Sequence, residues 1–318
     1  MKRDLVSVVV PMYFEELVAQ ECYNRLKSVM DNIENIDYEL IFINDGSTDK
    51  TLDILKEIAS KDIKVKVINF ARNFGHQSAV TAGLFNCSGD AVVIIDADLQ
   101  DPPELIPKML EKWKEGFDVV YGKRGKRKGE SKFKLITAKY FYRFLGKMSD
   151  VKIPKDTGDF RLIDKSVVEA FRQMPEHNRF IRGMISWIGF NQTYIEYTRD
   201  ERFAGETKYP LSKMIKFASD GIIAFSSKPL KLMTGFGIFA IIVAFLIFIY
   251  AIISKIFFHT SLGWTSLMCV MVFFGGVQLI SLGIIGEYIG RIYDESKRRP
   301  LYLIKDKINF GGIDEQEK

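Results

Sequence analysis

Two scarcities limit the chemistry open to this sequence of 318 residues. Its three cysteines, Cys22, Cys87 and Cys269, are widely spaced and include no Cys-x-x-Cys pair. This pattern argues against disulfides and thiolate metal sites, and it is typical of a reducing compartment. No Gly-x-Gly-x-x-Gly follows the first strand-like run, and no Gly-x-x-x-x-Gly-Lys-Ser/Thr occurs in the sequence. Dinucleotide-dependent dehydrogenases and P-loop nucleotide hydrolases therefore lose support.

Charge is balanced overall but absent from two long runs. The 45 basic and 40 acidic residues leave a net charge of +5, which does not indicate a nucleic-acid partner. Residues 232–254 and 262–286 carry no charge, and each run exceeds the ~20 residues that a helix needs to cross a bilayer. The short connection at 255–261 predicts a transmembrane hairpin with both ends on one side of the membrane.

Basic residues indicate the orientation of this hairpin. Lys255 lies in the turn, whereas a larger set of basic residues flanks the open end. They are Lys228, Lys231, Arg291, Lys297, Arg298 and Arg299. The positive-inside rule predicts a multi-pass protein of the cell membrane, with its large domain and its C-terminus in the cytoplasm. The first strand-like run begins at Leu5, which leaves no room for a signal peptide before it.

Residues before the hairpin predict a helix at the membrane surface. Apolar residues recur at helical spacing between Leu211 and Phe225, with Lys213, Lys216 and Asp220 elsewhere. This pattern is typical of an amphipathic helix lying on a membrane, although a core helix of the large domain would also show it. The predicted parts are a cytoplasmic α/β domain (1–209), the juxtamembrane amphipathic helix (210–230), two transmembrane helices (231–292) and a cytoplasmic C-terminal arm (293–318).

The first part of the chain alternates strand-like and helical patterns. Strands are predicted at 7–11, 39–44, 65–70, 91–96 and 119–121, and helices at 15–30, 48–60, 77–86 and 103–116. The strands are continuous β-branched runs, as expected when both faces of a parallel sheet are buried. The predicted fold class is therefore a doubly wound, mostly parallel α/β sheet. Ligands bind such sheets beyond the carboxyl ends of the strands, where this sequence places polar turns.

Three carboxylates follow the fourth predicted strand. Asp96, Asp98 and Asp101 are close in sequence, and a bound cation would relieve their mutual repulsion. A hard divalent ion such as Mg²⁺ or Mn²⁺ binds such oxygens and keeps positions open for phosphate. A polar loop ahead of a helix that starts near Pro102 is the plainer alternative.

Three further motifs have both a functional and a structural interpretation. Asp45 follows the second predicted strand, where it can belong to a helix cap or accept a hydrogen bond from a base imide. Asp159 and Arg161 are two residues apart, so on a strand they face one pocket, although a surface ion pair would fit as well. Arg202 and Lys208 surround a glycine turn, which predicts either a clamp for a diphosphate or a solvated loop.

Together these motifs resemble the inverting glycosyltransferases of the GT-A fold, specifically the polyprenyl-phosphate sugar transferases. The sequence is similar to bactoprenol glucosyltransferases and, more distantly, to dolichol-phosphate mannose synthases. Processive synthases carry a Gln-x-x-Arg-Trp motif that this sequence lacks. The matching segments are Val-Val-Val-Pro-Met-Tyr-Phe-Glu-Glu (8–16), Asn-Asp-Gly-Ser (44–47), Ala-Arg-Asn-Phe-Gly (71–75), Asp-Ala-Asp-Leu-Gln-Asp-Pro (96–102), Gly-Asp-Phe-Arg-Leu (158–162), Arg-x-x-Gly-x-Thr-Lys (202–208) and Gly-Glu-Tyr-Ile-Gly-Arg (286–291).

The resemblance implies a role for each matching site residue. Asp159 would be the catalytic or acceptor-orienting carboxylate. The acceptor phosphate would contact Arg124 and Arg161, and the metal would contact Asp96, Asp98 and Gln100. The residues that would contact the donor are Pro11, Tyr13, Glu15, Asp45, Asp96, Arg202 and Lys208.

The resemblance also implies the reaction and its partners. A sugar, glucose before N-acetylglucosamine or galactose, would pass with inversion from a UDP-sugar to a polyprenyl (undecaprenyl) phosphate, with Mg²⁺ or Mn²⁺ as cofactor. Two alternatives stay open: a transferase acting on a saccharide hydroxyl, and a non-catalytic membrane scaffold that binds a nucleotide sugar. The run 299–304 resembles a strand that could pair with a neighbouring subunit, so a homo-oligomer such as a tetramer is a further partner to consider.

Overall fold

The computed structural model describes residues 3–125, 157–198, 228–257 and 263–311. The predicted amphipathic helix, Arg202 and Lys208 lie outside these residues, as do the atoms of the Arg124 side chain. The chain forms two compact units. The first comprises residues 1–142, 151–211 and 299–318, and the second comprises residues 143–150 and 212–298.

A mixed sheet organises the first unit, and eight of its strands lie within the described residues. They are β1 (Asp4–Met12), β2 (Ile36–Asn44), β3 (Val65–Phe70), β4 (Ala91–Ile94), β5 (Val119–Arg124), β6 (Thr157–Asp164), β7 (Gln192–Tyr197) and β8 (Ile304–Ile308). Their order is β7-β5-β6-β4-β1-β2-β3-β8. β1 pairs in parallel with β2 and β4, and β2 pairs in parallel with β3, so the centre of the sheet is parallel as predicted.

Helices cover both faces of this sheet. Those within the described residues of the first unit are α1 (Ala19–Asp31), α2 (Thr51–Lys61), α3 (His76–Asn86), α4 (Ile106–Lys114), α5 (Lys165–Arg172) and α6 (Ile181–Ile188), with a short 3₁₀ turn at Pro103–Leu105. β-branched residues along β1 are fully buried, and each contributes about 1.5–3 kcal/mol through burial. α3 packs directly on β1 at Gly83. A Cβ at this position would lie only 2.2 Å from a methyl of Val9, so the close approach requires glycine. This close approach brings the N-terminus of α3 to the carboxyl ends of the strands.

Two strands have partners that the sequence does not reveal. β6 lies between β4 and β5 and is antiparallel to both. β8 is antiparallel to β3 at the edge of the sheet. The sequence indicated a strand at 299–304 that could pair with a neighbouring subunit. The observed strand begins at Ile304 and pairs with β3 of its own chain. Residues assigned from sequence to a C-terminal arm thus form an edge of the large sheet.

The second unit contains two long apolar helices among its described residues, α7 (Lys228–Phe257) and α8 (Trp264–Ser296). Windows at Leu230–Ile247 and Phe273–Ser296 have mean hydropathies of 2.3 and 1.4, so both helices are long and apolar enough to cross a membrane. Ser281 of α8 lies 3.3 Å from the sulfur of Met233 on α7. The predicted fold class, a mostly parallel α/β sheet followed by a C-terminal apolar hairpin, is confirmed.

Candidate active site

Loops that follow β1 and β2 are hydrogen-bonded to each other. The amide of Phe14 donates to Ser47 Oγ (3.1 Å), and the amide of Glu15 donates to Thr51 Oγ1 (3.0 Å). Phe14 has a φ of 56°, a left-handed conformation that is costly for a bulky residue. The hydrogen bonds between the loops therefore hold a strained turn, in which Tyr13 is exposed and Glu15 is half-buried.

Asp45 is the buried centre of the second loop, with an exposed fraction of 3%. Its carboxylate accepts hydrogen bonds from the amides of Phe74 (2.7 Å) and Gly75 (2.9 Å) and from Asn73 Nδ2 (2.9 Å). Burial raises the pKa of Asp45, and the two backbone donors counteract this rise. Asp45 thus fixes the loop between β3 and α3. Its Oδ1 accepts only one of these three bonds and retains capacity for a further donor.

A glycine next to Asp45 is required by the same packing. Gly46 has a φ of +67°, and a Cβ there would lie 2.3 Å from the carbonyl carbon of Arg72. We expect Gly46→Ala to lower the free energy of unfolding by about 2 kcal/mol or more, because backbone strain of about 1–2 kcal/mol adds to this clash. Gly116→Ala is the matched control, since Gly116 has a φ of +97° with no atom within 4 Å of an added Cβ. Equal losses in thermal unfolding would contradict the packing argument.

The loop after β4 carries the carboxylates predicted from the sequence. Asp98 Oδ1 accepts a hydrogen bond from the amide of Gln100 (3.1 Å), and Leu99 between them has a φ of 57°. Asp101 is fully buried and accepts a hydrogen bond from the hydroxyl of Tyr197. Asp101 therefore anchors this loop to the end of β7, a structural role that its spacing from the other carboxylates does not reveal.

Asp96 has a buried carboxylate oxygen that a cation could satisfy. This Oδ1 accepts no hydrogen bond within the described part of the chain, and His76 Nε2 lies 3.7 Å from it. Burial, together with the carboxylates of Asp159, Asp101 and Asp98, raises the pKa of Asp96 to about 6 against the attraction of His76. A divalent ion would satisfy the orphan oxygen and offset this repulsion.

The residues present fit such an ion, but the protein would supply only a few of its ligands. Among the described residues, no three His, Cys, Asp or Glu side chains are grouped closely enough to hold a metal by themselves. Mg²⁺ is commonly bound through one or two carboxylates and the phosphates of a substrate. Asp96 and Asp98 are the carboxylates that would contribute here.

Asp159 lies in a cluster with two cationic side chains. Arg182 of α6 forms two hydrogen bonds to its carboxylate, at 2.7 Å from Nε and 3.2 Å from Nη2. Nε2 of His76 lies 3.2 Å from Asp159 and 3.7 Å from Asp96. Burial alone would raise the pKa of Asp159, but Arg182 and His76 hold it well below its usual range. Asp159 is therefore a weak base, and its negative charge holds Arg182 and His76 in place.

His76 is charged at neutral pH in this environment. Burial lowers its pKa, but the hydrogen bond to Asp159 and the charges of both aspartates prevail and raise it to about 9. The ring lies at the N-terminus of α3, immediately after Gly75. It thus places a positive charge between the two acidic segments of the site.

Arg161 lies behind this cluster and is almost fully buried. Its guanidinium donates to the carbonyl oxygens of Gly158 (2.9 Å) and Asp159 (3.3 Å), and it lies 4.0 Å from the Asp159 carboxylate. Burial lowers the pKa of Arg161 to about 10, so it remains charged at neutral pH. It lines a small cleft with Tyr121, Thr157, Arg182, Ser186 and Gln192.

The structure brings several of the predicted site residues together. Asp96 and Asp159 meet through His76, Arg161 lies beside Asp159, and Asp45 fixes the segment that leads into His76. Pro11 is buried within β1, and Gln100 is half-buried beside Asp98. Acidic side chains that could hold a cation therefore lie next to cationic side chains that could hold an anion.

Two residues of this cluster were missed by the sequence analysis. His76 is the last residue of the polar segment that follows β3. Its position beyond the carboxyl end of a strand was the signal that could have identified it as a site residue. Arg182 had no local signal, because it belongs to an apolar helix and meets Asp159 only through the tertiary fold.

Comparisons with known proteins identify the family of this chain. The model described as Glycosyl transferase family 2 matches residues 7–172, and the model described as GtrB C-terminal hairpin matches residues 228–292. The uncharacterized glycosyltransferase YkcC of Bacillus subtilis is 55% identical, over 94% of this chain and 93% of that protein. The bactoprenol glucosyl transferase of Shigella phage SfV is 43% identical, over 95% of this chain and 98% of that protein. The prophage bactoprenol glucosyl transferase homolog of Escherichia coli is 42% identical, over 94% and 98%.

Proposed function

Because the chain belongs to glycosyl transferase family 2 and carries the GtrB C-terminal hairpin, we propose that it transfers glucose from UDP-glucose to a polyprenyl phosphate. It is a glycosyltransferase, as its family requires. The observation that carries the choice of sugar and acceptor is the 43% identity to a bactoprenol glucosyl transferase across both units of the chain. Inversion at the anomeric carbon and undecaprenyl phosphate as the acceptor belong to the same proposal.

The donor lies across the loops after β1, β2 and β4 in this proposal. Tyr13, Glu15 and the free capacity of Asp45 Oδ1 recognise the uridine, with buried Pro11 shaping the strand end beneath them. Arg202 and Lys208 hold the diphosphate. These roles come from the resemblance, and the hydrogen bonds between the loops support them.

Asp96 and Asp98, with Gln100 nearby, hold Mg²⁺ or Mn²⁺ in this proposal. Such an ion supplies positive charge to the departing diphosphate. The orphan Oδ1 of Asp96 and its raised pKa support this assignment.

The acceptor phosphate needs little help from a base. The second pKa of a phosphomonoester is ~6, so the acceptor is largely a dianion at neutral pH. One phosphate oxygen forms the bond to the anomeric carbon while the bond to the diphosphate breaks and UDP leaves. The depressed pKa of Asp159 suits this reaction, because its carboxylate orients cations and has no proton to remove.

Bringing the two phosphorylated reactants together is the harder task. Two like unit charges 4 Å apart repel by ~4 kcal/mol at an effective dielectric constant of 20. His76, Arg161 and Arg182 supply positive charge on the acceptor side of the site in this proposal, with Arg124 as a further contact. Positioned charges of this kind are worth most in a site from which water is excluded.

The lipid acceptor also accounts for the two apolar helices. A polyprenyl chain cannot leave the bilayer, so the enzyme must work at its surface. We place the hairpin across the cell membrane and the α/β domain in the cytoplasm, following the basic residues that flank the hairpin. Assembly into a homo-oligomer such as a tetramer remains part of the proposal.

Labelled sugar transfer tests the proposal directly. We expect purified full-length protein with Mg²⁺, undecaprenyl phosphate and labelled UDP-glucose to move label into an organic-extractable lipid, with little transfer from UDP-N-acetylglucosamine or UDP-galactose. Undecaprenol, which has the same chain without phosphate, is the matched control and should accept nothing.

Other outcomes of this experiment identify the alternatives. Label appearing in a soluble saccharide would favour a transferase that acts on a sugar hydroxyl. UDP binding without transfer to any acceptor would favour a non-catalytic scaffold. Transfer of a different sugar to undecaprenyl phosphate would correct the donor but keep the acceptor.

A further inference from the structure

The C-terminal edge strand contacts the segments that form the proposed donor site. β8 pairs with β3, and Asp306 lies opposite Asn69 in the register. Just before β8, the carbonyl oxygen of Leu303 accepts a hydrogen bond from the amide of Ala71 (2.9 Å). The pairing is therefore extended into the loop that connects β3 with α3.

A chain of side-chain hydrogen bonds runs from β8 across the sheet. Asn69 Nδ2 donates to Asp306 (2.8 Å), and Asn44 Nδ2 donates to Asn69 Oδ1 (2.8 Å). Asn44 Oδ1 then accepts from the amide of Ser47 (3.4 Å), whose hydroxyl accepts from the amide of Phe14. Contacts that begin on the last strand thus end on both loops assigned to the uridine.

The charge of Asp306 sets the direction of this chain. A carboxylate only accepts, so Asn69 must turn its NH₂ group toward Asp306 and its oxygen toward Asn44. Asn44 then presents its own oxygen to the amide of Ser47. Asn44 and Asn69 are 1% and 4% exposed, and buried amides of this kind are costly when a partner is lost.

An aromatic stack follows a second route from the same segment. The ring of Tyr302 stacks on Phe70, with centroids 5.0 Å apart and an interplanar angle of 11°. Phe70 meets Phe74 edge to face at 5.7 Å, and the amide of Phe74 donates to Asp45 Oδ1. This route ends on the carboxylate that we assign to the base.

We propose that residues 302–306 position the nucleotide site, with Tyr302 and Asp306 as positioning residues for a nucleoside diphosphate. The inference rests on the proposed role of the Asp45 loop in donor binding. Neither residue touches the ligand in this scheme. Their contacts align the Phe14, Ser47 and Asp45 segments, so their loss weakens ligand binding and leaves the reacting end of the site intact.

Binding and kinetics of four variants test this inference. We expect Asp306→Ala and Tyr302→Ala each to raise the Kd for UDP, measured by calorimetry with Mg²⁺ present, about five- to tenfold. The donor KM should rise by a similar factor while kcat changes less than about twofold. Tyr302→Phe keeps the stacked ring, and Lys305→Ala changes an exposed residue of the same strand, so both should bind UDP as the unaltered protein does.

A double-mutant cycle separates positioning from general loss of stability. If the hydrogen bonds act as one chain, Asp306→Ala should have little further effect on UDP affinity once Asn69→Ala is present. Independent effects that simply add would overturn the chain. If an alanine variant failed to fold, Asp306→Asn, which keeps an acceptor oxygen but loses the fixed direction, would be measured in its place.

The outcomes distinguish this inference from the proposed function. An unaltered protein that binds no UDP refutes the proposed function. Unaltered UDP affinity in folded Asp306→Ala and Tyr302→Ala, with normal affinity in the parent protein, refutes the positioning role alone. A fall in kcat at constant UDP affinity would refute it as well.

Discussion

Replacing Asp159 by asparagine is expected to lower kcat about 100-fold while the donor KM changes less than about threefold. The amide has the shape of the carboxylate but cannot neutralise Arg182 and His76, which lie 2.7 and 3.2 Å from it. Both cations lose their alignment toward the acceptor. Uridine recognition is spared because it depends on other loops. Steady-state kinetics with varied UDP-glucose and undecaprenyl phosphate measure both parameters.

A matched control for this substitution exists on the same strand. Asp164→Asn makes the same chemical change at the other end of β6, where Asp164 accepts hydrogen bonds from Trp113 Nε1 and the amide of Ser166. We expect it to cost some stability but to leave kcat within about twofold. Circular dichroism should show both variants folded at the assay temperature. A kcat near the parent value for Asp159→Asn would remove Asp159 from the mechanism.

Chelation of divalent ions is expected to abolish turnover, and Mg²⁺ or Mn²⁺ should restore it. Asp98→Ala should lower turnover at saturating metal about 100-fold or more, because the ion would lose one of its protein ligands. In the parent protein, Mn²⁺ at 100 times its Kd should stabilise the fold by about 2.7 kcal/mol. Asp98→Ala should lose most of this stabilisation, which thermal unfolding with and without Mn²⁺ measures.

Asp101 provides the control for the metal experiment. Its carboxylate is buried against the hydroxyl of Tyr197, so Asp101→Asn should lower the melting temperature but keep the Mn²⁺-induced shift. Undiminished activity in EDTA would take the metal out of the scheme. A Mn²⁺ shift retained by Asp98→Ala would move the ion to other ligands.

Local patterns were sufficient to predict the centre of the fold. β3 was expected at 65–70 and lies at Val65–Phe70, because a short β-branched run between polar turns is a local signal. The apolar hairpin was equally visible, since the length and charge of a segment decide whether it can span a bilayer. The carboxylates after β4 were found because they are clustered at the carboxyl end of a parallel strand, where such sheets bind ligands.

The remainder depends on contacts between distant segments. Arg182 on α6 and His76 on α3 approach Asp159 on β6 only once the chain has folded, and no spacing in the sequence encodes this meeting. Arg161 was expected to share a pocket with Asp159, and the structure places them 4.0 Å apart. Its donors, however, reach backbone carbonyl oxygens, and Arg182 forms the closer ion pair. The assignment of Arg161 to the acceptor phosphate stays a prediction.

The position of β8 sets when the donor site can be finished during synthesis. Asn69 and Asp306 are 237 residues apart, and both apolar helices are translated between them. A nascent chain therefore leaves the edge of β3 open until after the membrane hairpin has emerged from the ribosome. Under the positioning scheme, the growing polypeptide reaches its full affinity for UDP-sugar only after both apolar helices have been made. A chain that has not yet made its anchor would therefore bind nucleotide sugar more weakly than the finished protein.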